Sequence, residues 1–196
     1  MSKTVIVDYD AGNLRSVANM MTFLNVPFEI TSDKDVILNA DKIIFPGQGH
    51  FAQAMNNLEK KGLVSVIKEC CANGTPFLGI CIGLQILFEK SEEAPNVQGL
   101  GIFKGEVKRF TQGKIPQIGW NKVIPTENNI YIPESYFYYV NSYYVVPEDS
   151  RIISAYTDYN GKFCAAVQSK NVTAVQFHPE KSSEAGLKFF KNWING

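Results

Sequence analysis

Short apolar runs alternate with amphipathic stretches through the first half of the chain. The runs predict β-strands, and the stretches, which are apolar at every third or fourth position, predict helices. The expected strands are Thr4–Asp8, Phe28–Thr31, Lys42–Phe45 and Pro76–Ile80, and the expected helices are Asn13–Leu24, Ala52–Leu58, Leu63–Cys71 and Ile82–Lys90. A strand–helix–strand rhythm is typical of βαβ units. We therefore expect an α/β fold with a mostly parallel sheet flanked by helices.

Aromatic and β-branched runs dominate the second half of the chain. The expected strands there are Glu106–Phe110, Tyr136–Val146, Phe163–Gln168 and Thr173–Phe177. Asn160-Gly161 is a strong hairpin signal, so these strands should add an antiparallel part to the sheet or form a smaller second sheet. Ser183–Ile194 predicts a closing helix. Because no repeat or linker interrupts residues 1–196, we expect a single domain.

Composition narrows the class of function. Hydrophobic residues make up 45 % of the 196 residues, and 19 basic residues balance 19 acidic ones. This composition is typical of a globular protein without a nucleic-acid surface. The sequence has no apolar run of membrane-spanning length and starts on a strand pattern, so a cytoplasmic protein is expected. The cysteines are scattered and should be free thiols, and with two histidines they predict no metal site.

The most informative segment places Cys81 between a predicted strand and a predicted helix, with Gly79 and Gly83 two residues to either side. This is a cysteine version of the nucleophile elbow. A sharp strand-to-helix turn strains the backbone at the nucleophile, needs glycine on both sides, and places the sulfur where the helix dipole favours a thiolate. The backbone N–H of Ile82 would then point towards a developing oxyanion. A buried core cysteine is the alternative, since free cysteines are often buried.

A nucleophilic cysteine needs a base, and His178 follows an apolar strand that Pro179 ends. Glu180 lies two residues further on and, in an extended segment, would project on the same side and orient the imidazole. The alternatives are a structural histidine and a carboxylate at a helix start. His50 is interpreted as a loop residue without a catalytic role.

Three segments together match the pattern of a known family: Pro46–Gly49, Gly79–Gln85 and His178–Ser182. On these residues the chain resembles the class I glutamine amidotransferases. Further segments resemble, within that family, the glutaminase subunits of imidazole glycerol phosphate synthases; they are Gly12–Ser16, Ser91–Glu93, Gly119–Asn121 and Tyr139–Tyr143.

The resemblance implies a role for each matching residue. Cys81 would be the nucleophile, His178 the acid–base and Glu180 its orienter. The oxyanion donors would be the N–H of Ile82 and one N–H from Gly47-Gln48. The residues that hold glutamine would be Gln85, Glu93, Ser142 and Tyr143, with Glu93 binding the ammonium group. No cofactor is implied.

The resemblance also implies a partner, a (β/α)₈-barrel synthase that forms a heterodimer with this chain and consumes the ammonia. Gln117, Trp120, Asn121 and Asn141 are expected near that partner or the glutamine site. Gln117 and Asn141 replace histidines usual in the family, which leaves two explanations open: drift at tolerant positions, or a copy that supplies a sugar-modifying amidotransferase. A cysteine peptidase on the same elbow and a binding module with a decayed site are the remaining alternatives.

Overall fold

The computed structural model describes residues 3–10 and 13–196. Gly12, part of one segment of the resemblance, therefore lies outside the described residues. Parallel strands form one half of the central sheet, in the order β2-β1-β3-β4-β12. Their bounds are Thr4–Val7 for β1, Phe28–Thr31 for β2, Lys42–Phe45 for β3, Phe77–Ile80 for β4 and Val172–Val175 for β12. The parallel βαβ core predicted from the apolar runs is confirmed.

Antiparallel strands extend this sheet from β12 in the order β11-β10-β7-β8, while β5, β6 and β9 branch from the side. Their bounds are Lys90–Ser91 for β5, Gly105–Arg109 for β6, Gln117–Pro125 for β7, Ser135–Asn141 for β8, Tyr143–Pro147 for β9, Ile153–Asp158 for β10 and Lys162–Ser169 for β11. The hairpin between β10 and β11 turns at Asn160-Gly161 as predicted.

Helices cover the sheet and bury its apolar residues in two hydrophobic clusters. They are α1 (Leu14–Phe23), α2 (Lys34–Leu38), α3 (Phe51–Lys61), α4 (Val64–Ala72), α5 (Ile82–Gln85) and α6 (Ser183–Asn195). In α6 the buried Phe189, Phe190 and Trp193 form the face that packs on the core. Within the described residues, no helix combines the length and the apolar character needed to cross a membrane.

Two predicted elements differ from the structure. The predicted helix Ile82–Lys90 ends at Gln85, because the carbonyls of Ile86 and Leu87 accept from the N–H groups of Leu100 and Phe103 instead of continuing the helix. The predicted strand Tyr136–Val146 is divided at Ser142, since the residues before it pair with β7 and those after it pair with β6. Both corrections reflect long-range pairing that local periodicity does not contain.

Candidate active site

Cys81 occupies a strained turn between β4 and α5. Its backbone angles, φ 54° and ψ −105°, are rare for a residue with a side chain. A Cβ on Gly79 would lie 2.6 Å from the carbonyl oxygen of Gly83, and a Cβ on Gly83 would lie 2.6 Å from that of Phe45. Glycine at both positions is what allows the turn to pack against β3, as the sequence pattern predicted.

His178 is held beside Cys81 by bonds on both sides of its backbone. Its N–H donates to the carbonyl of Tyr138 at 2.8 Å, and its own carbonyl accepts from Ser182 Oγ at 2.6 Å. Its Nδ1 lies 2.7 Å from Glu180 Oε1, and the imidazole is close enough to Cys81 for the two groups to interact electrostatically. Both side chains are buried, with 1 % of His178 and none of Glu180 exposed.

The contact between His178 and Glu180 arises differently from the expectation. Pro179–Lys181 forms a 3-10 turn, so the intervening chain is not extended. The turn nonetheless brings the carboxylate onto the imidazole. Glu180 Oε1 also accepts from the side-chain amide of Asn13, which fixes the carboxylate from a second direction. Asn13 belongs to the matching segment Gly12–Ser16, and its bond to Glu180 was not predicted from the sequence.

Negative charge on the neighbouring triad residues raises the pKa of His178 and favours its protonated form. Burial lowers the pKa of His178, but the Cys81 thiolate and the Glu180 carboxylate raise it to about 10. The other cysteines lie in a different environment, because burial raises the pKa of Cys70 to about 11 and those of Cys71 and Cys164 to about 12. All four are free, as predicted.

The loop after β3 packs directly on the elbow. A Cβ on Gly47 would collide with the Ile82 side chain and would lie 3.0 Å from the Gly83 nitrogen. Tyr9 anchors the start of this loop by donating its hydroxyl to the Pro46 carbonyl at 2.8 Å. The expected oxyanion donors, Ile82 and Gly47-Gln48, are therefore adjacent in space. The Ile82 N–H lies in the first turn of a helix, where no carbonyl of the helix itself can accept it.

A cavity of about 400 Å³ opens over the sulfur. Its lining includes Cys81, Ile82, Gln48 and His178 together with all four residues expected to bind glutamine, which are Gln85, Glu93, Ser142 and Tyr143. Glu93 is fixed by the Phe51 N–H, which donates to its Oε2 at 2.7 Å. His50, expected to be a plain loop residue, caps α3 and places its Nε2 3.9 Å from Glu93 Oε1. Cys81, His178 and the four residues expected to bind glutamine thus meet in one cavity, while Glu180 contacts His178 from outside its lining.

Gln176 is a site residue that sequence reasoning missed. Its side chain is fully buried and donates from Nε2 to Cys81 Sγ at 3.6 Å, while its Oε1 accepts from Gln85 Nε2 at 3.1 Å. The only available signal was its position two residues before His178, since alternate residues of an extended segment share a side.

The four residues expected near a partner or the glutamine site lie in different environments, and Asn141 lines the cavity itself. Gln117 and Asn141 face each other across β7 and β8 and are only 3 % and 5 % exposed, because alternate residues of this hairpin point into the core. Asn121 donates its side-chain amide to the Asp158 carbonyl within the chain. Trp120 alone projects outwards, with 51 % of it exposed. Gln117 and Asn141 are therefore buried positions and not surface positions.

A larger cavity of about 870 Å³ lies at the opposite end of β12, where Asn171 and Val172 contribute to its lining. None of the triad residues reaches it. The chemistry is therefore assigned to the smaller cavity.

The chain is similar to known proteins over nearly its whole length. The family model of glutamine amidotransferase class-I matches residues 5–195. The imidazole glycerol phosphate synthase subunit HisH of Moorella thermoacetica is 46 % identical, covering 98 % of this chain and 94 % of the relative. That of Dehalococcoides mccartyi is 47 % identical, covering 96 % and 95 %.

Solved structures show the same fold at low identity. The crystal structure of a glutamine amidotransferase superimposes with a TM-score of 0.79 at 15 % identity and covers 97 % of each chain. The structure of PurLQS from Thermotoga maritima superimposes with a TM-score of 0.74 at 19 % identity, covering 99 % of this chain and 98 % of the other.

Proposed function

The chain belongs to the class-I glutamine amidotransferase family, and on this premise we propose that it is the glutaminase subunit of an imidazole glycerol phosphate synthase in histidine biosynthesis. The observation that carries the proposal is the arrangement of Cys81 and His178 in a cavity of about 400 Å³, with Glu180 bonded to His178 behind it. That volume lies at the lower end of the range usual for small-molecule sites, which suits a single amino acid.

Catalysis begins with attack of the Cys81 thiolate on the side-chain amide carbon of glutamine. The carbonyl oxygen becomes an oxyanion, held by the N–H of Ile82 and a second N–H from Gly47-Gln48. His178, protonated because its pKa is raised to about 10, donates its proton to the departing nitrogen. Ammonia leaves and a thioester remains. Water, deprotonated by His178, then hydrolyses the thioester to glutamate and restores the thiolate.

The ends of the substrate are recognised by opposite charges and polar backbone groups. Glu93 offers its carboxylate to the α-ammonium group of glutamine, while Ser142 and Tyr143 line the side where the α-carboxylate binds. Glu93 accepts from the N–H of Phe51 at the start of α3, so a substrate bound to Glu93 is connected to the segment that follows the Gly47-Gln48 loop. A glycine-containing loop rearranges its peptide planes at low cost, so the second oxyanion donor depends on the state of this loop.

A partner subunit receives the ammonia, because free ammonia in neutral water becomes non-nucleophilic ammonium. The outer face of the β7–β8 hairpin offers a docking surface: Ile118, Trp120 and Tyr136 are 60 %, 51 % and 58 % exposed. Trp120 packs edge-on against Tyr138, with ring centroids 6.1 Å apart, so the face is already ordered. Exposed aromatic residues of this kind are enriched at protein interfaces. A (β/α)₈-barrel synthase is the proposed occupant.

The proposal is tested by complementation and by assay. The chain should restore histidine-independent growth to a strain that lacks the ordinary glutaminase subunit, and with the barrel subunit it should release glutamate from glutamine. Failure to restore growth by a chain that hydrolyses glutamine would instead favour a sugar-modifying amidotransferase as the partner. Peptide cleavage without glutamine hydrolysis would favour a cysteine peptidase, and neither activity would favour a binding module.

A further inference from the structure

Gln176 connects the nucleophile to the glutamine-binding side of the cavity. Its side-chain amide bonds Cys81 Sγ at one end and Gln85 at the other, and no part of it reaches solvent. These two contacts cross 95 and 91 positions of the sequence, so they exist only in the folded chain. The reaction sequence proposed above uses Cys81 and His178 and gives Gln176 no part.

The orientation of the Gln176 amide is fixed by a chain of hydrogen bonds that begins at a backbone carbonyl. The carbonyl oxygen of Tyr143 can only accept, and Gln85 Nε2 donates to it at 3.3 Å. The nitrogen of Gln85 must therefore face this side, where it also donates to Gln176 Oε1. With its oxygen turned towards Gln85, Gln176 has only its nitrogen left to present to the sulfur.

We infer that Gln176 is a positioning residue, and that Tyr143, Gln85 and Gln176 form a relay that fixes an N–H donor on the Cys81 sulfur. An N–H donor bonds a thiolate more strongly than a thiol, so the relay favours the charged nucleophile. Its far end lies in the substrate cavity, since Gln85 and Tyr143 both line it. Asn141, which donates to the same Tyr143 carbonyl at 3.0 Å, supports that end of the relay.

That the far end of the relay meets the substrate rests on the proposed glutaminase function, but the N–H donor on the Cys81 sulfur does not. Its test therefore avoids turnover and follows the alkylation of Cys81 by iodoacetamide against pH. The three other cysteines are buried and carry raised pKa values, and a Cys81→Ala protein provides the blank. Mass spectrometry identifies the labelled residue.

Gln176→Met keeps an unbranched side chain of similar length and removes the donor. We expect the pH midpoint of Cys81 alkylation to rise by about one unit, which corresponds to an approximately tenfold slower reaction below the midpoint. Gln168→Met is the matched control, because Gln168 is also a buried glutamine and bonds the Ile130 N–H away from the cavity. This control should leave the midpoint unchanged. A Gln176→Met protein that folds and keeps the original midpoint would overturn the inference.

Gln85→Met tests the relay one step from the sulfur and replaces the first variant if that protein does not fold. Without Gln85 the Gln176 amide loses the partner that fixes its orientation, so the alkylation midpoint should rise although Gln85 is not bonded to Cys81. An unchanged midpoint in folded Gln85→Met protein would contradict the relay. Glutaminase activity of the unaltered chain is measured separately: a shifted midpoint in a chain that does not hydrolyse glutamine would refute the proposed function and leave the relay standing.

Discussion

At the scale of single residues, the site is a set of polar atoms whose partners come from distant parts of the chain. Cys81, His178 and Glu180 could be predicted because the signals for each are local: glycine spacing around the cysteine, and a histidine and a carboxylate two residues apart. Gln176 was missed, because its only local signal is its position two residues before His178 and its role depends on the distant Gln85 and Cys81. The burial of Gln117 and Asn141 likewise depends on the pairing of β7 with β8.

The first prediction concerns the nucleophile. Replacing Cys81 with Ala should reduce glutamine-dependent activity by about 10⁴-fold or more, because the covalent step is lost. The partner should continue to work with added ammonium salt, since only the supply of ammonia is removed. Cys164→Ala is the control, because Cys164 is a buried thiol that donates to the Ala166 carbonyl outside the cavity. Comparable glutamate release by the Cys81→Ala protein would contradict the mechanism.

The second prediction concerns the pH dependence set by Glu180. The pKa of His178 is raised to about 10, so activity that needs the imidazolium should fall only as the pH approaches that value. Replacing Glu180 with Gln removes one of the charges that raise this pKa, so the alkaline fall in kcat/KM should move to lower pH. The control is Glu184→Gln on the exposed start of α6. Identical alkaline limbs in the two variants would show that Glu180 does not stabilise the imidazolium.

The free energy of unfolding should also decrease as the pH rises, for the same physical reason. A group whose pKa is raised on folding stabilises the folded state fully below its unfolded pKa, here 6.5, and loses that contribution as the pH rises through about 10. The free energy of unfolding should therefore fall between these values in the unaltered chain and fall less steeply in Glu180→Gln. Urea unfolding across this pH range provides the measurement, with Glu184→Gln following the unaltered chain.

At the scale of elements, strands and helices were predicted correctly where the local pattern of apolar residues was sufficient to identify them. The short parallel strands are buried along their whole length and appear as apolar runs, for example Thr4–Val7 and Phe77–Ile80. Strand β7 was missed because its inward-facing positions include a glycine and two amides, Gln117 and Asn121, while the apolar Ile118 and Trp120 face outwards. The usual alternation of buried apolar and exposed polar residues is therefore absent from its sequence. The helix predicted over Ile82–Lys90 ends early because the carbonyls of Ile86 and Leu87 accept tertiary hydrogen bonds. The helical pattern of the sequence does not indicate these bonds.

The third prediction belongs to the elbow between β4 and α5. Gly83→Ala would place a Cβ 2.6 Å from the Phe45 carbonyl oxygen and force β3 and the elbow apart. We expect a loss of about 1–3 kcal/mol in the free energy of unfolding, which is the usual cost of overpacking, together with a fall in kcat. Gly74→Ala is the control: its Cβ meets no atom within 4 Å, and its cost comes from a φ of +88° alone. It should lower stability and leave kcat unchanged. Full activity in Gly83→Ala would refute the packing argument.

At the scale of the whole molecule, the antiparallel half of the sheet has two faces with different tasks. The inward face of the β7–β8 hairpin carries Phe137 and Tyr139, which are buried, and Asn141, which reaches the cavity. The outward face carries the exposed Ile118, Trp120 and Tyr136. A partner bound outside would therefore contact the strand whose inner residue Asn141 donates to the Tyr143 carbonyl, which also accepts from Gln85. This arrangement gives partner binding a short structural path to the nucleophile.

The last prediction tests that outward face. Trp120→Ala removes its largest aromatic side chain, and an interface centred on it should weaken by at least about 2 kcal/mol, roughly thirtyfold in Kd. We expect partner binding to set the state of the Gly47-Gln48 loop, so glutaminase activity at limiting partner should fall in parallel and recover when the partner is in excess. Ile130→Ala provides the control, since Ile130 is 68 % exposed and lies outside the β7–β8 strands. Binding is measured by titration of the barrel subunit and activity by glutamate release. Equal affinity in the two variants would place the docking surface elsewhere, whereas weakened binding with unchanged activity at every partner concentration would separate docking from activation.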